Sequence, residues 1–276
     1  MSFPNSIALS YEQAFSTSVT KMAPLGTRGT LPDGRVFRAA RAGATDLRPG
    51  NPVVAVAPGQ FSMLNTSQNA QFPAGTTQDT NAVVLTLGGS WDGTSVGVTA
   101  NDYADGWLLV GSTVGSGTNN IQMLRIKSHT AQGGGTSHTG GTSALKVTLE
   151  DGEHPKWDIT SSAGAALVKN PYAALAITAA TAANTNIVMG VPPVAVTALY
   201  YFWLQTWGDA PVRMSDAASS ALAPGSYVCN SITAATTGCC IKNSSNYAGA
   251  GQQEIGIIRS LSTTGGYAVV HLQISP

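Results

Sequence analysis

The chain has 276 residues, enough to bury a substantial core in one large or two modest domains. Only 10% of them are charged, and 14 basic against 14 acidic side chains give a formal net charge of zero. No global field exists to recruit nucleic acid or an anionic membrane, and no run of about 18 apolar residues offers a membrane-spanning helix. Weak self-repulsion suits a protein packed beside copies of itself.

The start, "MSFPNSIALSYEQAF", has neither a basic lead nor a continuous apolar core, so a secretory leader is not expected and synthesis in a cytoplasm is. Residues 1–25 mix polar residues with scattered apolar anchors, namely Phe3, Ile7, Leu9, Tyr11 and Phe15. A short helix in "SYEQAFSTSVTKM" is open to them, but without a strong apolar stripe an arm ordering against another surface is the expectation.

From residue 26 the pattern becomes short strand-like runs separated by turns. Pro32-Asp33-Gly34 is a turn with a mechanism: proline presets φ, aspartate bonds the following backbone and glycine accepts positive φ. "RVFRAARAG" and "VVAVA" read as strands around "RPGNP", and a polar connector covers 66–80. "AVVLTLGG", "GWLLVG", "IQMLRIKSH" and "SALKVTLEDG" follow, then the alanine-rich run at 173–183, read as strand on its Thr and β-branched content. "YYFWLQTWG" and the hairpin "IGIIRSLSTTGGYAVVHLQI" close the series. The fold class predicted is all-β, as two β-sandwich or β-barrel domains with an extended N-terminal arm.

Catalytic and cofactor motifs fail on register. "GSTVGSGTNN" at 111–120 lacks the lysine and second glycine of a phosphate loop and the spacing of a dinucleotide fingerprint, so it reads as a hairpin connection. His129 and His138 lack metal-ligand spacing, and no serine sits in a nucleophile elbow. The charged run "EDGEHPKWD" reads as a solvated loop, although a hydrolase built from dispersed residues would draw on His154 and Asp158. Cys229, Cys239 and Cys240 read as buried or idle thiols, and any disulfide would have to use Cys229. No catalytic, cofactor-binding or metal-binding residues are therefore expected, and no cofactor. In "YYFWLQTWG" both alternating faces are apolar, which predicts a strand covered on both sides. Its Tyr201, Trp203 and Trp207 are also candidate protein-interface residues, together with the five anchors of the N-terminal segment. A carbohydrate-binding β-sandwich using Tyr200 to Trp207, or the turn at Trp91, is the alternative from another class.

Several stretches, in order along nearly the whole chain, resemble structural proteins of tailed bacteriophages of the capsid decoration or cement kind. They are "LGTRGTLPDGRVFRAARAG" with "LRPGNPV", "VTANDYADGWLLVGSTVGSG" with "RIKSH", "VKNPYAALAI", "GVPPVAVTALYYFWLQTWG" and "IGIIRSLSTTGGYAVVHLQI". The resemblance implies a β-rich, non-enzymatic virion component on the capsid surface. Its partners would be the major capsid protein and other copies of itself, with a trimer as one arrangement; nucleic acid and membrane are not expected partners. A tail or head-fibre component is the alternative. Beyond the arm at 1–25, the resemblance also implies a discontinuous β domain of 26–65 plus 166–276 and an inserted β domain at 66–165.

Overall fold

The computed structural model describes residues 6–55, 80–86, 99–111, 121–131, 144–159, 164–178, 187–215, 222–231, 238–242, 253–261 and 266–275. In chain order the first elements are β1 (Ser6–Ala8), α1 (Tyr11–Ala14), β2 (Thr17–Ser18), β3 (Arg28–Thr30), β4 (Val36–Arg41) and β5 (Val53–Ala55). Next come β6 (Ala82–Thr86), β7 (Trp107–Gly111), β8 (Ile121–His129), β9 (Ala144–Leu149) and β10 (Gly164–Val168). The series ends with β11 (Leu175–Ile177), β12 (Val188–Gly190), β13 (Tyr201–Arg213), β14 (Tyr227–Asn230), β15 (Cys240–Lys242), β16 (Glu254–Leu261) and β17 (Tyr267–Gln273). The fold is all-β, with one four-residue helix among the described residues.

The chain divides into two compact units, Pro58–Asn170 and Phe3–Ala57 with Pro171–Pro276. The first holds a five-stranded sheet in the order β10-β7-β8-β9-β6. Strands β7 and β8 pair antiparallel with Gly111 opposite Ile121, as expected of a hairpin; the glycine loop joining them lies outside the described residues. Alternation sends Leu108, Val110, Leu124 and Ile126 into one core with Leu85, Leu145 and Leu167, while Ile121 and Met123 stand out of it at 67% and 56% exposure. His129 closes this unit. Its Nε2 accepts the Tyr103 backbone N–H at 2.9 Å, so the ring proton sits on Nδ1 and is donated to the Thr130 carbonyl at 2.8 Å.

The second unit is built on a larger sheet in the order β1-β3-β4-β13-β17-β16-β14-β15, with β2 pairing the start of β13; a separate three-stranded sheet runs β11-β5-β12. Strand β13 is central, between β4 and β17. Its first half is covered on both sides, as its two apolar faces predict. Phe202 and Leu204 pack with Leu47, Val53 and Leu175, and Trp203 packs with Leu9, Ala14 and Phe37. Each large apolar side chain buried this way contributes about 1.5–3 kcal/mol. The second half buries one face: Ala210 and Val212 join a cluster with Val228, Ile258, Val270 and Leu272, while Asp209 and Pro211 are exposed.

Residues 6–25 do not reach away from the chain. Strand β1 pairs parallel with β3, and β2 pairs antiparallel with Tyr201 and Phe202. Between them Ser10 caps α1 reciprocally: Ser10 Oγ accepts the Gln13 N–H at 3.1 Å, and Gln13 Oε1 accepts the Ser10 N–H at 2.9 Å. This turn drops Leu9 and Ala14 into the core beside Trp203, which supplies the apolar surface that the polar composition concealed.

The turn at Pro32-Asp33-Gly34 forms as its residues require. Gly34 has φ +87° and donates its N–H to the Leu31 carbonyl at 3.0 Å, while Asp33 Oδ1 accepts the Arg35 N–H at 3.1 Å. Strands β16 and β17 form the expected antiparallel hairpin. Of the alanine-rich run, Leu175–Ile177 is a strand, and 179–183 lies outside the described residues.

Candidate functional site

The feature that shapes a site in the second unit is an irregularity in β13. Against β4 the register shifts between Gln205 and Trp207, so β13 carries an extra residue there. Gly208 follows with φ +84°, and a Cβ at this position would stand 3.0 Å from Arg35 Cγ, so glycine answers both a backbone and a space requirement. From the interior, buried Gln205 satisfies the distorted backbone: its Nε2 donates to the Trp207 carbonyl at 3.3 Å and the Asp209 carbonyl at 3.0 Å.

Beside this bulge lies an open cleft of about 460 Å³. Trp207, Gly208 and Asp209 contribute from β13, Asp33 to Arg35 from the β3–β4 turn, and Arg259 and His271 from β16 and β17. The His271 Nδ1 lies 2.8 Å from Asp209 Oδ1, and since a carboxylate only accepts, Nδ1 carries the proton. Trp207 packs edge-on to the same imidazole at 5.7 Å between ring centroids and 73° between planes. Across the cleft Arg35 grips Asp33 through Nε and an NH2 nitrogen, both at 2.8 Å from Oδ2. Burial works against ionised Asp33, but the Arg35 backbone N–H and guanidinium outweigh it and hold this carboxyl below its usual range.

Of the residues expected at an interface, Phe3 lies outside the described residues. Ile7 is half-buried on β1, while Leu9 and Trp203 face the chain's own core. Tyr11 and Phe15 are exposed, and their rings lie beneath the Arg35 guanidinium at 5.9 and 5.5 Å. Tyr201, at the far end of the same strand, packs under Arg41 at 5.5 Å, roughly 20 Å from Trp207 at about 3.3 Å per residue. The structure thus gathers Tyr11, Phe15 and Trp207 around the Arg35 turn, leaves Tyr201 apart and withdraws Leu9 and Trp203. Arg35, Asp209, Arg259 and His271, which sequence reasoning passed over, reach one cleft only through strand pairing. The trace they left in sequence was Gly208 inside an otherwise apolar strand, a sign of a bulge.

Both ring nitrogens of His129 are engaged by backbone, and His138 lies outside the described residues. Lys156 Nζ is 3.3 Å from His154 Nε2. Trp91 too lies outside the described residues. Among the described residues no group of three or more His, Cys, Asp or Glu side chains is placed to hold a metal ion. The three cysteines are buried and form no disulfide, and burial pushes the Cys229 thiol up to about 11 and that of Cys240 well above its ordinary value.

No family model, curated protein or solved structure matches this chain.

Proposed function

We propose that this protein is a non-enzymatic structural component of a phage virion, a decoration protein on the outside of the capsid that binds the major capsid protein and other copies of itself. What carries the reading is the ordered set of phage-like segments along nearly the whole chain. In the all-β fold those segments become strands of both units: "GWLLVG" contains β7, "RIKSH" ends β8, "YYFWLQTWG" opens β13 and the closing segment covers all of β16 but its first residue and the whole of β17.

Surface chemistry supports it. A cement protein holds a lattice through many copies, each burying moderate area, so multivalency makes weak contacts sufficient. Ile121 and Met123 on β8 offer exposed apolar contact surface, and zero net charge lets copies approach without repulsion. A trimer at a local symmetry axis is the arrangement to test first.

Quantitative mass spectrometry of purified virions decides the matter. Copy numbers comparable with the major capsid protein are expected. A handful per particle would move the protein to the tail or a head fibre, and absence from the particle would refute a virion role.

A further inference from the structure

The cleft at the β13 bulge holds polar groups that the fold orders but does not satisfy. Asp209 fixes the His271 ring through Nδ1, and Nε2 has no partner among the described residues. Among the described residues the indole N–H of Trp207 has no acceptor and the exposed guanidinium of Arg259 has no carboxylate. These three open groups line one cleft.

Charge bookkeeping points to the sign of a ligand. Asp33 is paired with Arg35, and the Asp209 carboxylate accepts from His271 but keeps its charge, so the ionised groups of the lining balance; Arg259 is the cation that has no carboxylate partner among the described residues and is open to one anionic group. The lining is one aromatic, two glycines and five ionisable side chains, which offers an apolar face at Trp207 beside fixed donors and acceptors. At about 460 Å³ the cleft falls in the range of compact ligands, roughly 300–1,000 Å³. A ligand with a flat C–H face for Trp207, several hydroxyls for fixed donors and acceptors, and one carboxylate meets all of these demands.

We infer that this cleft binds an acidic saccharide, its carboxylate on Arg259, its hydroxyls shared with His271 Nε2 and the Asp209 carboxylate, and its ring against Trp207. The inference does not depend on a virion role.

Ligand-observed NMR on the full chain tests it, with glucuronic, galacturonic and N-acetylneuraminic acids as probes and glucose and a short polyglutamate peptide as comparators. At least one acidic sugar is expected to bind, with glucose at least about tenfold weaker, the loss of one charge-assisted hydrogen bond. Arg259→Gln changes an exposed side chain without an ion pair, so it should keep the wild-type melting temperature while weakening the acidic sugar by a similar factor. Trp207→Phe should weaken acidic and neutral sugars alike. Equal binding of glucose, indifference to Arg259→Gln, preference for polyglutamate, or no binding of any of the three acids would each overturn the inference.

Discussion

Replacing Trp203 by alanine separates two roles that its sequence context allows, a contact with another subunit or a part of the core. The side chain is 3% exposed and packs with Leu9, Ala14, Ala39 and Phe37. A buried aromatic removes roughly 150–250 Å² from water, which at about 25 cal/mol/Å² corresponds to about 4–6 kcal/mol as an upper value. Truncations of this kind cost about 3–5 kcal/mol when the cavity collapses only in part. Collapse here is opposed from below, because Gly29 already lies close under the indole: a Cβ on it would meet Trp203 Cζ3 at 3.0 Å, yet glycine has no side chain with which to fill the space. At about 2–4 °C per kcal/mol for a domain of this size class, the midpoint of the second unit should fall by about 6–20 °C. Differential scanning calorimetry of Trp203→Ala beside Tyr227→Ser, an exposed control expected within about 0.5 kcal/mol, provides the measurement. A fall of less than about 2 °C, together with lost self-association, would return Trp203 to an interface and refute the core assignment.

Acid should weaken the first unit through His129. Burial lowers its pKa below the ordinary 6.5, with the Thr130 carbonyl opposing, and the neutral ring is the form bonded to Tyr103. Because the folded value is the lower one, its stabilising contribution is complete above 6.5 and is lost as pH falls from there toward the folded pKa. Denaturant melts between neutral and mildly acidic pH should show a falling midpoint that His129→Asn flattens; a midpoint that rises on acidification would contradict the assignment. Gly106→Ala should destabilise the same unit by about 1–3 kcal/mol or more, since the added methyl would run into the Val168 carbonyl oxygen and lie 2.9 Å from that of Tyr103. A hydrogen-exchange profile unchanged around β7 and β10 would contradict it. The three cysteines should resist a thiol reagent in the native protein and react together on unfolding, whereas prompt stoichiometric labelling would show that Cys229 and Cys240 are not buried as described. Ile121→Lys with Met123→Lys should leave the melting temperature within a few degrees and abolish capsid binding in a reconstitution assay, while retained binding would remove the β8 face from the contact.

What was legible in the sequence was local. The turn at 32–34, the hairpin of β16 and β17 and the double-sided burial of "YYFWLQ" follow from residue type and period, and they appear where those rules put them. Composition alone did not show where residues 6–25 pack: a capped turn at Ser10 turns Leu9 inward, and the surface that receives it, Phe37 and Trp203, lies far along the chain. Alternation alone also put Trp203 and Trp207 on equal terms. The bulge and Gly208 separate them, burying the first and leaving the second half-exposed beside His271. The cleft was illegible for the same reason, because Asp209, Arg259 and His271 belong to strands, and Arg35 to a turn beside them, whose pairing no short-range pattern encodes.

The pairing of β5 with β11 sets Ala55 opposite Leu175, although the whole of the other unit intervenes between them in the chain. Backbones so paired are only about 5 Å apart, the spacing that a tight turn bridges. The second unit therefore treats everything between these strands as an oversized loop. A version with that stretch replaced by a short turn would keep every strand pairing of the second unit, and a foreign domain with neighbouring ends could be grafted in its place.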